Sequence, residues 1–223
     1  MTSPAERRPL KQDHFGSVAC LCDPATPGRT LCVERDTSSA RWWLRWVARA
    51  LARREALALR TLARVPGVPR LESWDGARLR RSWIEGAPMH RSPPGAPAYF
   101  REALHLLRRM HGAGVLHNDL AKEPNWLVTP DGSAALVDFQ LAMRPRHRGR
   151  LFRALAYDDL RHLLKHKRTY FPGRLTARQH AILRRPSGVS ALWAHTVKPV
   201  YRFVTRRILG WSDREGAGDR QAP

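Results

Sequence analysis

The sequence predicts an α+β chain in two parts, a small sheet carrying one long helix followed by a mainly helical part. Three observations carry this expectation. Strand-like patterning over residues 10–36 gives way to an Ala/Leu/Trp/Arg helical stretch running from Ala40 to about Val65. Residues Arg70 to Ile84 read as a hairpin that turns at Asp75-Gly76. A Pro/Gly-rich stretch from Glu85 to Pro97 then separates these elements from an amphipathic helix, Ala98 to His111. At 223 residues, 43% apolar and 26% charged, the chain is long and apolar enough to bury a real core. The expected units are residues 1–86, 87–185 and a basic C-terminal helix and tail at 186–223.

Within the first unit, Gly16 and the Pro24 to Gly28 stretch supply bends, and Thr30 to Arg35 is a strand. Thr37-Ser38-Ser39 offers hydroxyls to cap the helical region, which reads as one helix or two and is ended by Pro66-Gly67. Trp43, Trp46, Val47, Ala50 and Leu51 recur at helical spacing, so Trp42, Trp43 and Trp46 are expected in the core rather than on a base-stacking platform. In the second unit Tyr99, Ala103, Leu106, Leu107 and Met110 mark the buried face of the 98–111 helix, which Gly112-Ala-Gly114 ends. Val115-Leu-His-Asn-Asp119 runs from apolar into polar. Strands Trp126–Val128 and Ala135–Val137 are joined by the turn Pro130-Asp131-Gly132, and Asp138-Phe139-Gln140 follows at once. Helical patterning resumes near Tyr157.

The charge balance is unusual: 40 Lys+Arg against 19 Asp+Glu gives +21, most of the excess being Arg. Such a surface attracts polyanions, although an Arg-rich codon bias produces the same count. The three cysteines, 20, 22 and 32, have no zinc-spaced companions and read as reduced, packed thiols of a cytoplasmic protein. The N-terminal residues lack the apolar core of a signal peptide, and no run is apolar enough to span a membrane. In the tail, Val200, Phe203, Val204, Ile208 and Trp211 lie at helical spacing among Lys198, Arg202, Arg206 and Arg207. That pattern fits either an interfacial helix on an anionic membrane or a terminal helix packed on the second unit.

The chemistry concentrates in Asp119, Asn125 and Asp138. One carboxylate ends an apolar run, an Asn sits six residues on, and a hairpin returns the chain to a second carboxylate. Three oxygen-bearing side chains around one small space suit phosphoryl transfer, which needs hard ligands for magnesium and a carboxylate to orient the attacking hydroxyl.

The segments Val115-Leu-His-Asn-Asp-Leu-Ala-Lys-Glu-Pro-Asn125 and Leu136-Val-Asp-Phe-Gln140 resemble the catalytic loop and metal-binding segment of the bilobal protein-kinase-like fold. More narrowly they resemble small bacterial kinases of the RIO and lipopolysaccharide-core (Kdo and heptose) types. The resemblance implies a phosphotransferase that uses ATP and Mg2+. Asp119 would be its catalytic base, Lys122 would steady the transferring phosphate, and Asn125 and Asp138 would bind metal. It implies that Glu85-Gly86 meets adenine through backbone groups, that His117 is structural, and that Arg35 stands in for the usual strand Lys. Glu55 is the one acid among eight arginines from Arg41 to Arg70. It either pairs with the strand cation, as the resemblance implies, or with Arg49, Arg53 or Arg54 on its own helix. Asp158 or Asp159 either braces the catalytic loop from below or complements a helix N-terminus.

The sequence departs from the kinase pattern in having Asn118 before the catalytic Asp, Gln140 after Asp138-Phe139, and only Gly16 in place of a glycine-rich loop. The segment after Asp138 is short and basic, with Arg144, Arg146, Arg148 and Arg150 and no Ala-Pro-Glu anchor. A small or glycolipid acceptor, such as a lipopolysaccharide-core sugar, is therefore expected ahead of a protein Ser/Thr. The alternatives are a pseudokinase that serves as an interaction module and, more remotely, a basic nucleic-acid-binding protein.

Overall fold

The computed structural model describes residues 6–26 and 29–185. Strands β1 (Glu6–Asp13), β2 (Gly16–Cys22), β3 (Thr30–Asp36), β4 (Leu71–Trp74) and β5 (Arg78–Ser82) form an antiparallel sheet in the order β1-β2-β3-β5-β4. Helix α1 (Arg45–Thr61) connects β3 to β4. A smaller sheet joins β6 (Ala87–Pro88), β7 (Trp126–Val128) and β8 (Ala134–Leu136). Around it lie α2 (Ala98–Gly112), α3 (Arg150–Tyr170) and α4 (Ala177–Arg184). The class is α+β. No helix among the described residues is long and apolar enough to cross a membrane. The tail pattern at 197–211, and the whole expected unit 186–223, lie outside the described residues.

The central strand β3, paired on both sides by β2 and β5, buries Cys32, Val33, Glu34 and Asp36. At the β1–β2 turn, Gly16 adopts φ +125°, and a Cβ there would lie 2.3 Å from the Asp36 carbonyl oxygen. Only glycine lets this turn close down on the end of β3. Cys20 and Cys32 are buried and all three cysteines are free. Burial pushes the Cys32 thiol up to about 11, which leaves it unreactive near neutral pH.

Three expectations need correcting. Trp42, Trp43 and Trp46 are not core residues: Trp42 is 81% exposed and Trp46 73%. The face that α1 buries is instead Ala48, Ala52, Glu55, Ala56, Ala58 and Leu59. Small alanines let the helix lie close to its neighbours, where indoles would hold it off. Nor do the Thr37-Ser38-Ser39 hydroxyls cap α1, whose N-cap is Leu44 without a side-chain hydrogen bond. The Thr37 hydroxyl donates to the Ala77 carbonyl at 2.7 Å and the Ser39 hydroxyl to the Asp36 carbonyl at 3.0 Å, which ties down the turn after β3. Finally, α3 begins at Arg150, not near Tyr157, so Asp158 and Asp159 lie mid-helix and cannot complement its N-terminus.

One hydrophobic core runs through the second part and into the first. Ala58, Leu59 and Leu62 at the end of α1 share it with Met89, with Tyr99, Leu107 and Met110 of α2, and with Trp126, Leu136, Phe139 and Leu163. The α1 helix thus anchors the five-stranded sheet to the segment that follows β8.

On α3, burial and the charges of Lys165 and His166 lower the His162 pKa to about 4, against the opposing pull of Asp159 and Asp158. Its Nδ1 is buried without a hydrogen-bond partner. Because the unfolded chain binds this proton near pH 6.5 and the folded one only near 4, stability is full above 6.5 and falls as the pH drops through that window. The loss approaches about 3 kcal/mol. Thermal melts between pH 7 and 4.5 are expected to fall more steeply for the wild type than for His162→Leu, and parallel curves would contradict this.

Candidate active site

Gly114, at φ +80°, turns the chain out of α2 and sends Val115 and Leu116 into the core. Leu116 bridges Met143 through two backbone hydrogen bonds of 2.9 Å, so the loop before Asp119 runs antiparallel to the segment after Asp138. His117 is fully buried. Its Nε2 lies 3.0 Å from the Val137 carbonyl, which can only accept and so sets Nε2 as the protonated nitrogen. The ring packs on Phe139 with centroids 4.7 Å apart. These two contacts hold the His117 ring within the loop.

Asp159 of α3 organises this loop. Its two carboxylate oxygens accept the backbone N–H groups of His117 and Asn118, each at 3.0 Å, and Oδ2 also meets His111 Nε2 at 3.1 Å. Pointing two successive N–H groups at one carboxylate draws Asn118 into the left-handed region at φ 64°. The Asn118 amide then donates to the Leu141 carbonyl at 3.1 Å. Asp158 instead pairs with Arg161 on its own helix at 3.6 Å. The choice left open by the sequence therefore falls on Asp159.

Beyond Asp119 the six-residue spacing is absorbed by a 3-10 turn at Glu123–Asn125, with Pro124 fixing its start. Within it Asn125 Nδ2 donates to the Asp119 carbonyl at 2.8 Å and to Asp119 Oδ2 at 3.1 Å. Both amide protons are thereby engaged, and Asn125 Oδ1 remains as an acceptor for a ligand. Lys122 Nζ lies 3.2 Å from Asp119 Oδ2. Burial pushes the Asp119 carboxyl above its ordinary range, and the charge of Asp138 adds to that. Lys122 and Asn125 offset only part of the rise.

Support from beneath comes from residues that sequence reasoning missed. Buried Glu123 accepts the Tyr170 hydroxyl at 2.7 Å and lies 3.7 Å from His166 Nδ1. His166 Nε2 meets the Leu120 carbonyl at 2.8 Å. These side chains come from the far end of α3, and no spacing rule links residue 170 to residue 123.

Asp138 sits at φ 65°, ψ 69°, two residues past the end of β8. The backbone N–H of Val137 donates to the Asn125 carbonyl at 3.1 Å, which ties the two segments together. Burial works to raise the Asp138 carboxyl, but Arg35, the Gln140 amide, His117 and Arg81 outweigh it and hold the pKa below the ordinary value. Gln140 Nε2 donates to Asp138 Oδ1 at 2.6 Å. Asp138 is thus a stable anion with one oxygen engaged by Gln140.

Across from Asp138 stands a cationic pair. Arg81 of β5 lies opposite Val33 of β3, so Arg35, two residues on, points to the same sheet face as Arg81. From α1, fully buried Glu55 reaches this face, 3.5 Å from Arg35 Nε and 3.2 Å from Arg81 Nε. Neither contact has hydrogen-bond geometry, so the Glu55 oxygens are held by charge alone. Glu55 therefore pairs with strand cations, not with Arg49, Arg53 or Arg54. Arg81 escaped the sequence reading because it reaches this face only through the pairing of β5 with β3. Glu55→Gln is expected to cost about 2 kcal/mol in a denaturant melt, below the usual 3–5 for a wholly buried pair, because both guanidiniums keep some water contact. An unchanged midpoint would mean that the charges are already screened.

The remaining predicted residue, Glu85, is exposed in the linker between β5 and β6. Beside it Gly86 adopts φ +156°, where a Cβ would lie 2.9 Å from the Val128 carbonyl oxygen. The linker thereby closes against the β7–β8 hairpin. A cleft of about 480 Å³ lined by Gly67, Ile84, Glu102, Arg109 and Asp131 includes none of the three acid and amide residues above.

Among the described residues, no group of three or more His, Cys, Asp and Glu side chains is placed to hold a metal ion. The available oxygen donors are two carboxylates and one amide: Asp119, Asp138 and Asn125. A depressed Asp138 carboxyl and an Asn125 amide whose donors are already engaged fit a hard cation. Comparison with protein-family models and with curated proteins finds no match to this chain.

Proposed function

We propose that this chain is an ATP- and Mg2+-dependent phosphotransferase of the bilobal protein-kinase-like kind, resembling small RIO-type and lipopolysaccharide-core kinases. The observation that carries the reading is the clamp of Asn125 on Asp119 at 2.8 and 3.1 Å, with Asp138 near enough for its charge to act on the Asp119 carboxyl. The five-stranded sheet with α1 would form the nucleotide-covering lobe, and the helical part the second. ATP would lie between them, its adenine against backbone groups of the Glu85-Gly86 linker.

Asn125 and Asp138 would hold magnesium, which would neutralise charge on the ATP phosphates. Arg35, assisted by Arg81, would grip those phosphates in bidentate fashion. Asp119 would orient the acceptor hydroxyl and take its proton. The hydroxyl oxygen bonds to the γ-phosphorus as the bond to the β–γ bridging oxygen breaks, leaving ADP and a phosphate monoester. Lys122 would stabilise the transferring group. The eight residues between the 3-10 turn at Phe139–Leu141 and α3 leave little surface for gripping a peptide. That favours a lipopolysaccharide-core sugar or similar small acceptor over a protein Ser/Thr.

Two observations favour a second reading, a pseudokinase that binds nucleotide without turnover. Gln140 occupies one oxygen of Asp138 at 2.6 Å, and residue 35 is Arg where a kinase uses Lys. Purified protein is expected to show magnesium-dependent ATP hydrolysis or autophosphorylation that Asp119→Ala and Asp138→Ala abolish. Nucleotide binding without turnover, over a panel of sugar and protein acceptors, would favour the pseudokinase. Turnover retained in both variants would overturn the site.

A further inference from the structure

The stretch from Arg41 to Arg54 holds five arginines and no acid. At its start the structure exposes two indoles almost completely, Trp42 at 81% and Trp46 at 73%, with Trp43 at 38%. Burying such a side chain is favourable, and the fold forgoes that gain twice within five residues. Isolated exposed aromatics are ordinary on a protein surface, but neighbouring ones mark a surface that meets something else.

Their setting indicates what. Trp46, Arg49 and Arg53 follow one another at helical spacing along α1, and all three are exposed. Trp42 lies one turn earlier, where the chain winds into the helix through Leu44 N–H to Arg41 C=O at 2.9 Å and Ala48 N–H to Leu44 C=O at 2.9 Å. Arg41 and Arg54 are exposed as well. The opposite face of α1 is committed to the core through Ala48, Ala52, Glu55 and Leu59, so the Trp/Arg face has no route inward. Glu55, the first acid after this run, is itself buried.

We propose that the Trp42/Trp46/Arg49/Arg53 face is a docking surface for an anionic lipid bilayer. Indole rings partition to the boundary between headgroup and acyl chain, with the ring towards the lipid and the N–H towards water. Guanidiniums one turn away meet lipid phosphates, and no exposed carboxylate on the stretch repels them. A base-stacking surface lies along a groove that follows a nucleic-acid backbone. Here the indoles project outward from the end of a helix, a shape suited to a flat boundary. Arg41 N–H donates to the His14 carbonyl at 3.2 Å, so docking would bring the β1–β2 turn to the membrane with α1. This surface does not depend on the phosphotransferase reading.

The test is cosedimentation of the full chain with phosphatidylglycerol vesicles and with phosphatidylcholine vesicles over a salt series. The wild type is expected to bind the anionic vesicles at low salt and to ignore the neutral ones. Trp42→Ser/Trp46→Ser should weaken that binding about tenfold or more, with an unchanged circular dichroism spectrum. Arg49→Gln/Arg53→Gln, an independent change on the same exposed stripe, should weaken it and flatten its salt dependence. The proposal is overturned if the wild type fails to bind, or if both double variants bind as the wild type does. It is equally overturned if a single-stranded oligonucleotide, and not the vesicles, is bound in a manner that the two tryptophans control.

Discussion

Asp159→Ala is expected to lower stability by about 4 kcal/mol and to abolish turnover, although Asp159 is placed to touch neither nucleotide nor acceptor. The carboxylate is buried and accepts the backbone N–H groups of His117 and Asn118 and the His111 ring. Removing it leaves two main-chain donors without partners in the interior, each costing about 1–3 kcal/mol. It also frees Asn118 from the left-handed conformation that aims Asp119. In a domain of this size the loss corresponds to a fall in melting temperature of about 10 °C. Asp159→Asn retains one acceptor and should recover part of the stability but little of the activity. A variant that melts like the wild type would show that the loop holds its shape without the brace.

Asp119→Asn is expected to separate the two quantities. Turnover should fall about a thousandfold, because the amide cannot take the acceptor proton. Stability should hold or rise, since burial already works against the Asp119 charge and an amide of the same shape is freed from that cost. The separation is informative: a residue kept for packing would lose stability on substitution, whereas one kept for chemistry loses rate. Parallel measurement of turnover and of the denaturation midpoint decides between them. A variant that is both inactive and markedly destabilised would assign Asp119 to the scaffold.

The parts of this molecule that were legible in the sequence are those written locally. The β4–β5 hairpin announces itself at Asp75-Gly76, α2 by the spacing of Tyr99, Ala103, Leu107 and Met110, and the β7–β8 turn by Pro130-Asp131-Gly132. Asp119 and Asn125 lie on one loop, and the hairpin returns the chain so that Val137, next to Asp138, bonds the Asn125 carbonyl, all of which follows chain order. What was not legible depended on long-range pairing or on reading size as burial. The large tryptophans just before and at the start of α1 face outward, and alanines make the close contact inward. Arg81 becomes a partner of Glu55 only through the pairing of β5 with β3. Tyr170 and His166 reach Glu123 because α3 folds back beneath the loop. The start of α3 at Arg150 was hidden because its first turn has neither an acidic residue nor a side-chain cap.

Calorimetric titration of ATP into the wild type and into Asp138→Asn, with and without magnesium, tests the central claim most directly. If Asn125 and Asp138 hold a magnesium–nucleotide complex, the wild type binds ATP tightly only with magnesium, and Asp138→Asn loses that magnesium-dependent gain. Binding that ignores magnesium, or that survives the Asp138 substitution unchanged, would contradict the phosphotransferase reading and leave the pseudokinase.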